Sequence, residues 1–308
     1  MIVIGGEALV DLVPDKSAPD GGLGPLRPLL GGGPYNVAIA LGRLGVPAAF
    51  YAKLSTDQFG DRMLDRLRES DVDTSLVERG SEPTTLAVVG LGEDGSARYS
   101  FYTDGTAARF VADRPLPEEA TALCVGTLGM VLEPGASVYE RALFDAAERG
   151  RFTALDPNVR ADLIEDPDAY RKRFESWLPA VDLLKVSDDD AEWLAPGRDV
   201  LEAAREWVSR GPAAVVLTRG GDGLTAVTAS GEFAVPGRSV EVADTIGAGD
   251  TVQAALLAWL HRNGALSAEE LRSFDARRWQ QVLGFAAEAA GVTVSRAGAE
   301  PPWAAELG

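Results

Sequence analysis

One cysteine and one histidine stand among 308 residues, and each scarcity closes off a class of chemistry. Cys124 has no second cysteine to pair with; set in the apolar run "ALCVGTLGMVL", it reads as a small buried hydrophobe. A single histidine cannot build a His-Glu-x-x-His metal site, and any Ser-His-Asp triad would have to use it. His261 lies in "AWLHRNGA", where cationic and Asn-Gly residues end a helix, so it is expected to face the helix C-terminal dipole. Basic residues are also few: 29 Lys and Arg against 47 Asp and Glu give a net charge of −18, which excludes the clustered cations that nucleic-acid backbones require. No run approaches the roughly 20 apolar residues of a membrane span. "MIVIGGEALVDLVP" lacks the basic start of a signal peptide, so the expectation is a cytoplasmic protein with neither membrane nor nucleic acid as partner. A Walker A loop is missing too, because no lysine follows a glycine in a Gly-Lys-Ser/Thr setting.

What is present fits one large globular domain, with 46% hydrophobic residues and no low-complexity block. Short apolar runs, "MIVIGG", "PAAFYAKL", "ALCVGTL", "FTALDPN", "DLLKVS" and "AAVVLTRG", end in polar or glycine residues and read as buried parallel strands. Between them, "YNVAIALGRLG", "FGDRMLDRLRES", "SVYERALFDAAERG", "DVLEAAREWVSRG" and "RWQQVLGFAAEAAG" repeat apolar residues at helical spacing. The alternation predicts an α/β protein, an open sheet with helices on both faces and ligands beyond the carboxyl ends of its strands. One region breaks the pattern: "TTLAVVGLGEDGSARYSFYT", residues 84–103, alternates on both sides of a Glu-Asp-Gly turn and predicts a hairpin. With extended pieces in residues 8–30, it predicts a small β-lid from segments about 8–30 and 84–108, within a single domain spanning 1–308. The hairpin also contains "GLGEDG", a literal dinucleotide fingerprint; a strand rather than a helix follows it, so nicotinamide binding is not expected.

Residues 244–260, "DTIGAGDTVQAALLAWL", pose a sharper question. Free N–H groups and the positive dipole end gather at a helix start, and a Gly-Ala-Gly approach lets an anion come close without Cβ collision. A carboxylate inside such an anion site is repulsive unless it has separate work, such as taking a proton from an attacking hydroxyl. From residue types alone, Asp250 serves equally as that base or as a helix cap.

"DTIGAGD" followed by "TVQAALLAWL" closely resembles the C-terminal signature of the ribokinase-like carbohydrate kinases, the phosphofructokinase B type family, and "GGGPYNVAIALGRLG" resembles their sugar-site motif. The resemblance runs over nearly the whole chain in the right order. It implies a three-layer α/β/α fold with a mostly parallel sheet and a β-lid over the sugar, Asp250 as catalytic base, and Gly247, Ala248 and Gly249 as anion hole. By the same resemblance Asp11 in "GEALVDLVP" holds sugar hydroxyls, as a carboxylate accepting from two neighbours can. Gly32, Gly33 and Asn36 form the sugar loop, Lys53 in "AKLSTDQFG" lies near the sugar, and Arg98 and Arg160 match residues typical of fructokinase-like members.

On the nucleotide side, "LTRGGDG" resembles the loop bordering ATP, with Thr218, Gly220 and Gly223 as contacts. "KVSDDDAEWL" falls on the family's Asn-x-x-Glu position, whose acid organises magnesium through water; here the pair is Ser187 and Asp190, a departure at both places. Relatives bind potassium through backbone carbonyls that correspond to the surroundings of Asp244, Ile246 and "VSRAGAEPP". The expected reaction transfers the γ-phosphoryl of ATP, with Mg2+ and optionally K+, to a primary sugar hydroxyl, and "GTLGMVLEP", "DPNVR" and "GAEPPW" resemble fructokinases most. 2-Keto-3-deoxygluconate kinase is the rival within the class, and a non-catalytic sugar-binding protein the rival outside it. A homodimer through the lid, common among relatives, is compatible with the apolar alternation of residues 85–102.

Overall fold

A computed structural model describes residues 1–14, 24–91 and 97–307; for 91, 97 and 98 it describes the backbone alone. Within these residues the central sheet is built from β1 (Ile2–Gly5), β4 (Ala48–Ser55), β5 (Val72–Asp73), β6 (Val77–Gly80), β9 (Ala122–Gly126), β10 (Phe152–Asp156), β11 (Leu183–Ser187), β12 (Ala214–Thr218), β13 (Leu224–Thr228) and β14 (Gly231–Val235). The second, smaller sheet holds β2 (Leu9–Pro14), β3 (Leu26–Gly31), β7 (Thr85–Leu91) and β8 (Ala97–Tyr102).

The central order is β14-β13-β12-β11-β10-β9-β1-β4-β5, with β6 also on β4. Pairing is parallel from β4 through β12 and turns antiparallel at β13 and β14. Strand alternation explains why both faces are covered. Ile2, Ile4, Cys124, Leu183 and Val216 point into one core, whereas Val3, Leu123, Val125, Leu184 and Val215 point into the other. The first core is closed by α1 (Gly33–Arg43), α2 (Gln58–Glu69), α7 (Ala248–Arg262), α8 (Ala268–Arg272) and α9 (Ala276–Val294). The second is closed by α3 (Gly135–Glu148), α4 (Pro167–Trp177), α5 (Asp188–Leu194) and α6 (Val200–Arg210). This is the expected three-layer α/β/α arrangement.

Helix α7 is buried almost all round because it packs on both α1 and α9, which fixes its first turn at the carboxyl edge of the sheet. His261 ends that helix, in its last turn, and Cys124 is a free, buried thiol. No helix among the described residues is long and apolar enough to cross a membrane.

The small sheet, order β3-β2-β7-β8, is mixed: β2 runs parallel to β7, while β3 and β8 run antiparallel to their neighbours. β7 and β8 pair as the hairpin, so a strand rather than a helix follows the "GLGEDG" stretch, whose residues 92–96 lie outside the described part. Among the elements that sequence periodicity missed are α4, α5 and the β13–β14 hairpin.

Candidate active site

A cavity of about 470 Å³ opens where β1, β9, β10, β11 and β12 end, and the small sheet roofs it. Its walls are polar: Glu7, Asp11, Asn36, Thr127, Asn158, Arg160, Lys185, Asp189, Asp190 and Asp250 all contribute. Leu9 and Asp11 from β2, and Tyr99 and Phe101 from β8, form the roof, the two rings stacked with centroids 5.8 Å apart.

Asp250 is the third residue of α7, and the helix is capped instead by Gly247, in left-handed backbone (φ 78°), with no side-chain hydrogen bond to the first turn. The capping alternative for Asp250 therefore fails on position. Its carboxylate is 8% exposed and, among the described residues, accepts one hydrogen bond, on Oδ2 from Asn36 Nδ2 at 2.8 Å, which leaves Oδ1 toward Gly33. Burial raises its pKa; Asn36, Lys185 and Arg160 oppose the rise. The N–H groups of Gly247 and Gly249 donate to no group among the described residues, whereas that of Ala248 is turned to Thr245 O at 3.3 Å. The helix start thus offers an anion fewer free donors than the Gly-Ala-Gly pattern suggested.

Close approach dictates glycine at two points. A Cβ on Gly33 would sit 2.5 Å from Thr127 Oγ1 and 3.3 Å from Asp250 Oδ1, and a Cβ on Gly32 (φ 108°) would strike Glu7 O at 2.8 Å. Glu7, 1% exposed, ties this loop to the β9 exit: it accepts from Gly33 N at 3.1 Å and from Gly129 N at 2.9 Å. Burial pushes its carboxyl up to about 7, against those N–H groups. Asp11 is pushed up to about 6 by burial, with Arg160 opposing.

Beside the helix start, Lys185 donates to Asp156 Oδ2 at 2.6 Å, both side chains buried. Its Nζ lies 3.1 Å from where a Cβ on Gly249 would stand. Burial works against the ammonium, but Asp156 first, then Asp190 and Asp250, hold its proton and raise its pKa.

Ser187 caps α5 in a reciprocal box with Asp190: Ser187 Oγ accepts from Asp190 N, and Asp190 Oδ2 accepts from Ser187 N at 3.3 Å. Asp190 Oδ1 accepts from Val159 N at 2.8 Å. Each oxygen keeps a lone pair, and the exposed Asp189 lies alongside, but no cluster of three metal-ligating side chains exists among the described residues. That donor set fits a magnesium ion carried by nucleotide phosphates and reached through water, not one caged by protein.

A second, apolar cavity of about 260 Å³ adjoins the first and is lined by Gly220, Gly223, Leu224, Val240, Val242, Val252, Ala287 and Val294. Gly223 (φ 99°) is required there, since a Cβ would lie 2.1 Å from Val235 O. At the other flank, Asp244 links two segments, accepting from Ile246 N at 3.0 Å and from Gly298 N at 2.9 Å.

One expected contact changes. Lys53 is not brought to the cavity: its ammonium is held by Glu82 at 2.8 Å and Glu78 at 3.4 Å, because β6 pairs with β4 and sets Glu78 directly beside it. Arg98 lies on β8, but its side chain is outside the described residues. Sequence reasoning also passed over Glu7, Thr127, Asn158, Lys185, Tyr99 and Phe101. Of these, Lys185 carried a visible signal, a charge inside an otherwise apolar strand.

The polar and apolar cavities share Thr218, Thr245 and Gly249, an arrangement suited to two substrates meeting at the start of α7. That is the layout of a phosphoryl-transfer enzyme. Residues 1–305 match the pfkB family carbohydrate kinase, and the chain belongs to that family of sugar kinases. It is 36% identical to a fructokinase of Rhizobium leguminosarum bv. trifolii over 279 residues, 89% of this chain and 84% of the relative. A probable fructokinase-2 of Arabidopsis thaliana is 32% identical, covering 98% of this chain and 92% of its own. Among solved structures, a fructokinase with bound ATP from Xylella fastidiosa superposes with a TM-score of 0.87 at 27% identity, over 97% of this chain and 93% of that one.

Proposed function

We propose that this sugar kinase is a fructokinase, transferring the γ-phosphoryl of ATP to the 6-hydroxyl of D-fructose. The observation that carries the reading is Asp250 Oδ1: a buried carboxylate oxygen with no hydrogen bond among the described residues while its partner oxygen is tied to Asn36, beside N–H groups likewise unpaired there. The sugar lies under the small sheet, its hydroxyls on Asp11, Asn36 and the bare backbone of Gly32 and Gly33. ATP spreads its base over the apolar cavity, past Thr218, Gly220 and Gly223. Asp250 Oδ1 takes the hydroxyl proton, the sugar oxygen bonds to the γ-phosphorus, and the bond from that phosphorus to the β,γ-bridging oxygen breaks to release ADP. Lys185 and the N–H groups of Gly247 and Gly249 stabilise the transferring charge. Magnesium, when bound with the nucleotide, neutralises phosphate charge; Asp190 and Asp189 would hold it through water. A monovalent cation would sit on carbonyls near Asp244 and Ile246, where the Asp244 side chain holds the two segments together. The protein is expected to act in the cytoplasm. Leu26 (44% exposed) and Tyr102 (61%), both on the small sheet, support pairing of two copies through it.

The test is ATP consumption with fructose, ribose, 2-keto-3-deoxygluconate and adenosine. Fructose is expected to give the highest kcat/KM by at least about tenfold, the low end of the discrimination that small differences in pocket fit supply. 2-Keto-3-deoxygluconate is the second reading because the Arg160 guanidinium lines the cavity and suits a substrate carboxylate. Preference for that acid would replace fructose as the substrate, and turnover with none of the four would remove the substrate reading.

Acidity should separate activity from stability. Asp11, near 6, must be ionised to accept hydrogen bonds from two sugar hydroxyls, and Asp250, also raised, to take the reacting proton, so kcat/KM is expected to fall below pH about 6. Stability runs the other way. Between pH 4.5 and about 7 the unfolded chain has lost the Glu7 proton that the fold retains, and Asp11 acts likewise between 3.8 and about 6. Stability that these groups supply at low pH is therefore lost as pH rises through that window. His261, whose pKa is lowered by burial, opposes the trend with a single group. The expected result is a higher melting temperature at pH 5.5 than at 7.5, with activity in the reverse order. Parallel pH profiles for activity and melting would overturn it.

A further inference from the structure

Two residues at the cavity floor hold backbone conformations that side chains disfavour. Thr127, immediately after β9, has φ 49°, and Asn158, just after β10, has φ 36°. Asparagine tolerates the left-handed region, but a β-branched threonine there is a genuine outlier. Such conformations cost free energy and persist where surrounding structure enforces them, commonly at functional sites. Glycine would occupy either position without strain.

The side chains supply a reason. Arg160 Nη1, which can only donate, gives a hydrogen bond to Asn158 Oδ1 at 2.7 Å and so fixes which way the amide faces. Asn158 Nδ2 in turn donates to Thr127 Oγ1 at 3.4 Å. The chain of donation runs Arg160 to Asn158 to Thr127, and it stops there: the Thr127 hydroxyl hydrogen has no acceptor among the described residues. Thr127 is buried, lines the cavity, and its Oγ1 converges with Asn158 Nδ2 and Asp250 Oδ1 on the space beside Gly33, at 2.5, 3.3 and 3.3 Å from where a Cβ there would stand. A buried donor without an acceptor, next to the free oxygen of the base, is aimed at the substrate.

We infer that Thr127 donates this hydrogen bond to the sugar oxygen nearest the reacting hydroxyl, the ring oxygen of a cyclic sugar, and that Asn158 positions Thr127 for it. A ring ether oxygen only accepts, which matches the free hydroxyl hydrogen of Thr127. The oxygen lies two carbons' reach from the attacking oxygen, so one hydrogen bond there sets the angle at which the hydroxyl faces the γ-phosphorus and Asp250. This inference rests on the sugar-kinase reading of the site.

The experiment compares wild type with Thr127→Gly, Thr127→Ser and Asn158→Gly, measuring melting temperature, sugar kinetics, and melting with saturating fructose. Relief of the left-handed strain is expected to leave Thr127→Gly and Asn158→Gly melting at or above the wild-type temperature. Sugar kcat/KM is expected to fall by about tenfold or more in Thr127→Gly, the loss of one buried hydrogen bond, and Thr127→Ser recovers the activity. Asn158→Gly should lower kcat more than it raises KM. A Thr127→Gly enzyme with wild-type kcat/KM overturns the inference, as does a Thr127→Ser enzyme as impaired as the glycine variant. If wild type turns over no sugar, the kinase reading fails separately, and the fructose-induced melting shift then decides: a shift in wild type that Thr127→Gly abolishes upholds Thr127 as the sugar contact, and an equal or absent shift in both overturns it. Should a glycine variant prove unstable, the serine and glycine enzymes are compared by kcat/KM at low temperature, where the same two outcomes apply.

Discussion

Asp250→Asn is expected to lower kcat by about two to four orders of magnitude, the range that a positioned general base supplies, while leaving the protein at least as stable. The two effects have one origin. Burial raises the pKa of Asp250, so at neutral pH the fold holds a carboxylate at some cost, relieved only in part by Asn36, Lys185 and Arg160. An asparagine keeps an oxygen for the Asn36 amide at 2.8 Å and removes the charge, so the melting temperature should hold or rise. Oδ1, which has no hydrogen bond among the described residues, becomes a donor that cannot take a proton. Sugar binding should survive, because Asp11, Gly32 and Gly33 are untouched, and the fructose-induced melting shift of the variant measures this directly. Retained turnover would remove Asp250 as the base, and lost turnover together with lost sugar binding would assign it to binding instead.

The sheet was legible because its strands are apolar on both faces, so runs such as "ALCVG" and "AVVLT" admit no exposed side; the two cores that share β1, one holding Ile2 and Ile4 and the other Val3, are the result. Helix α4 was not legible in the same way. Charged residues fill "PDAYRKRFESW", and its buried set is only Tyr170, Phe174 and Trp177, a thin stripe that a count of apolar residues passes over. The helix-start signature located Asp250 and Asn36 because glycines and carboxylates in that order have a local physical meaning. Glu7, Thr127 and Asn158 gain theirs only from strand order: β1, β9 and β10 lie side by side, and nothing along the chain states that adjacency. Lys53 shows the converse error, since a lysine near the end of a central strand looks available until β6 places Glu78 beside it.

Lys185→Met is expected to be the most damaging single change to the fold, because it strands Asp156. The two side chains are 4% and 7% exposed and 2.6 Å apart, and Asp156 Oδ1 already has no hydrogen-bond partner among the described residues. Removing one member of a buried pair costs about 3–5 kcal/mol, since the other charge stays out of water, which corresponds to a fall in melting temperature on the order of 10 °C for a chain of this size. The double variant Lys185→Met with Asp156→Leu should restore stability, as apolar replacement of a whole buried pair is commonly neutral or favourable. Activity should not return with it. Lys185 Nζ stands 3.1 Å from the Cβ position of Gly249, at the start of α7, and among the described residues no other ammonium lines the cavity. A stable double variant with kcat down by about a hundredfold would assign Lys185 to the transferring phosphoryl group, on the scale of losing one preorganised charge contact. A stable double variant with wild-type kcat would make the pair purely structural, and the charge stabilisation would then fall to the helix start, Arg160 and the metal.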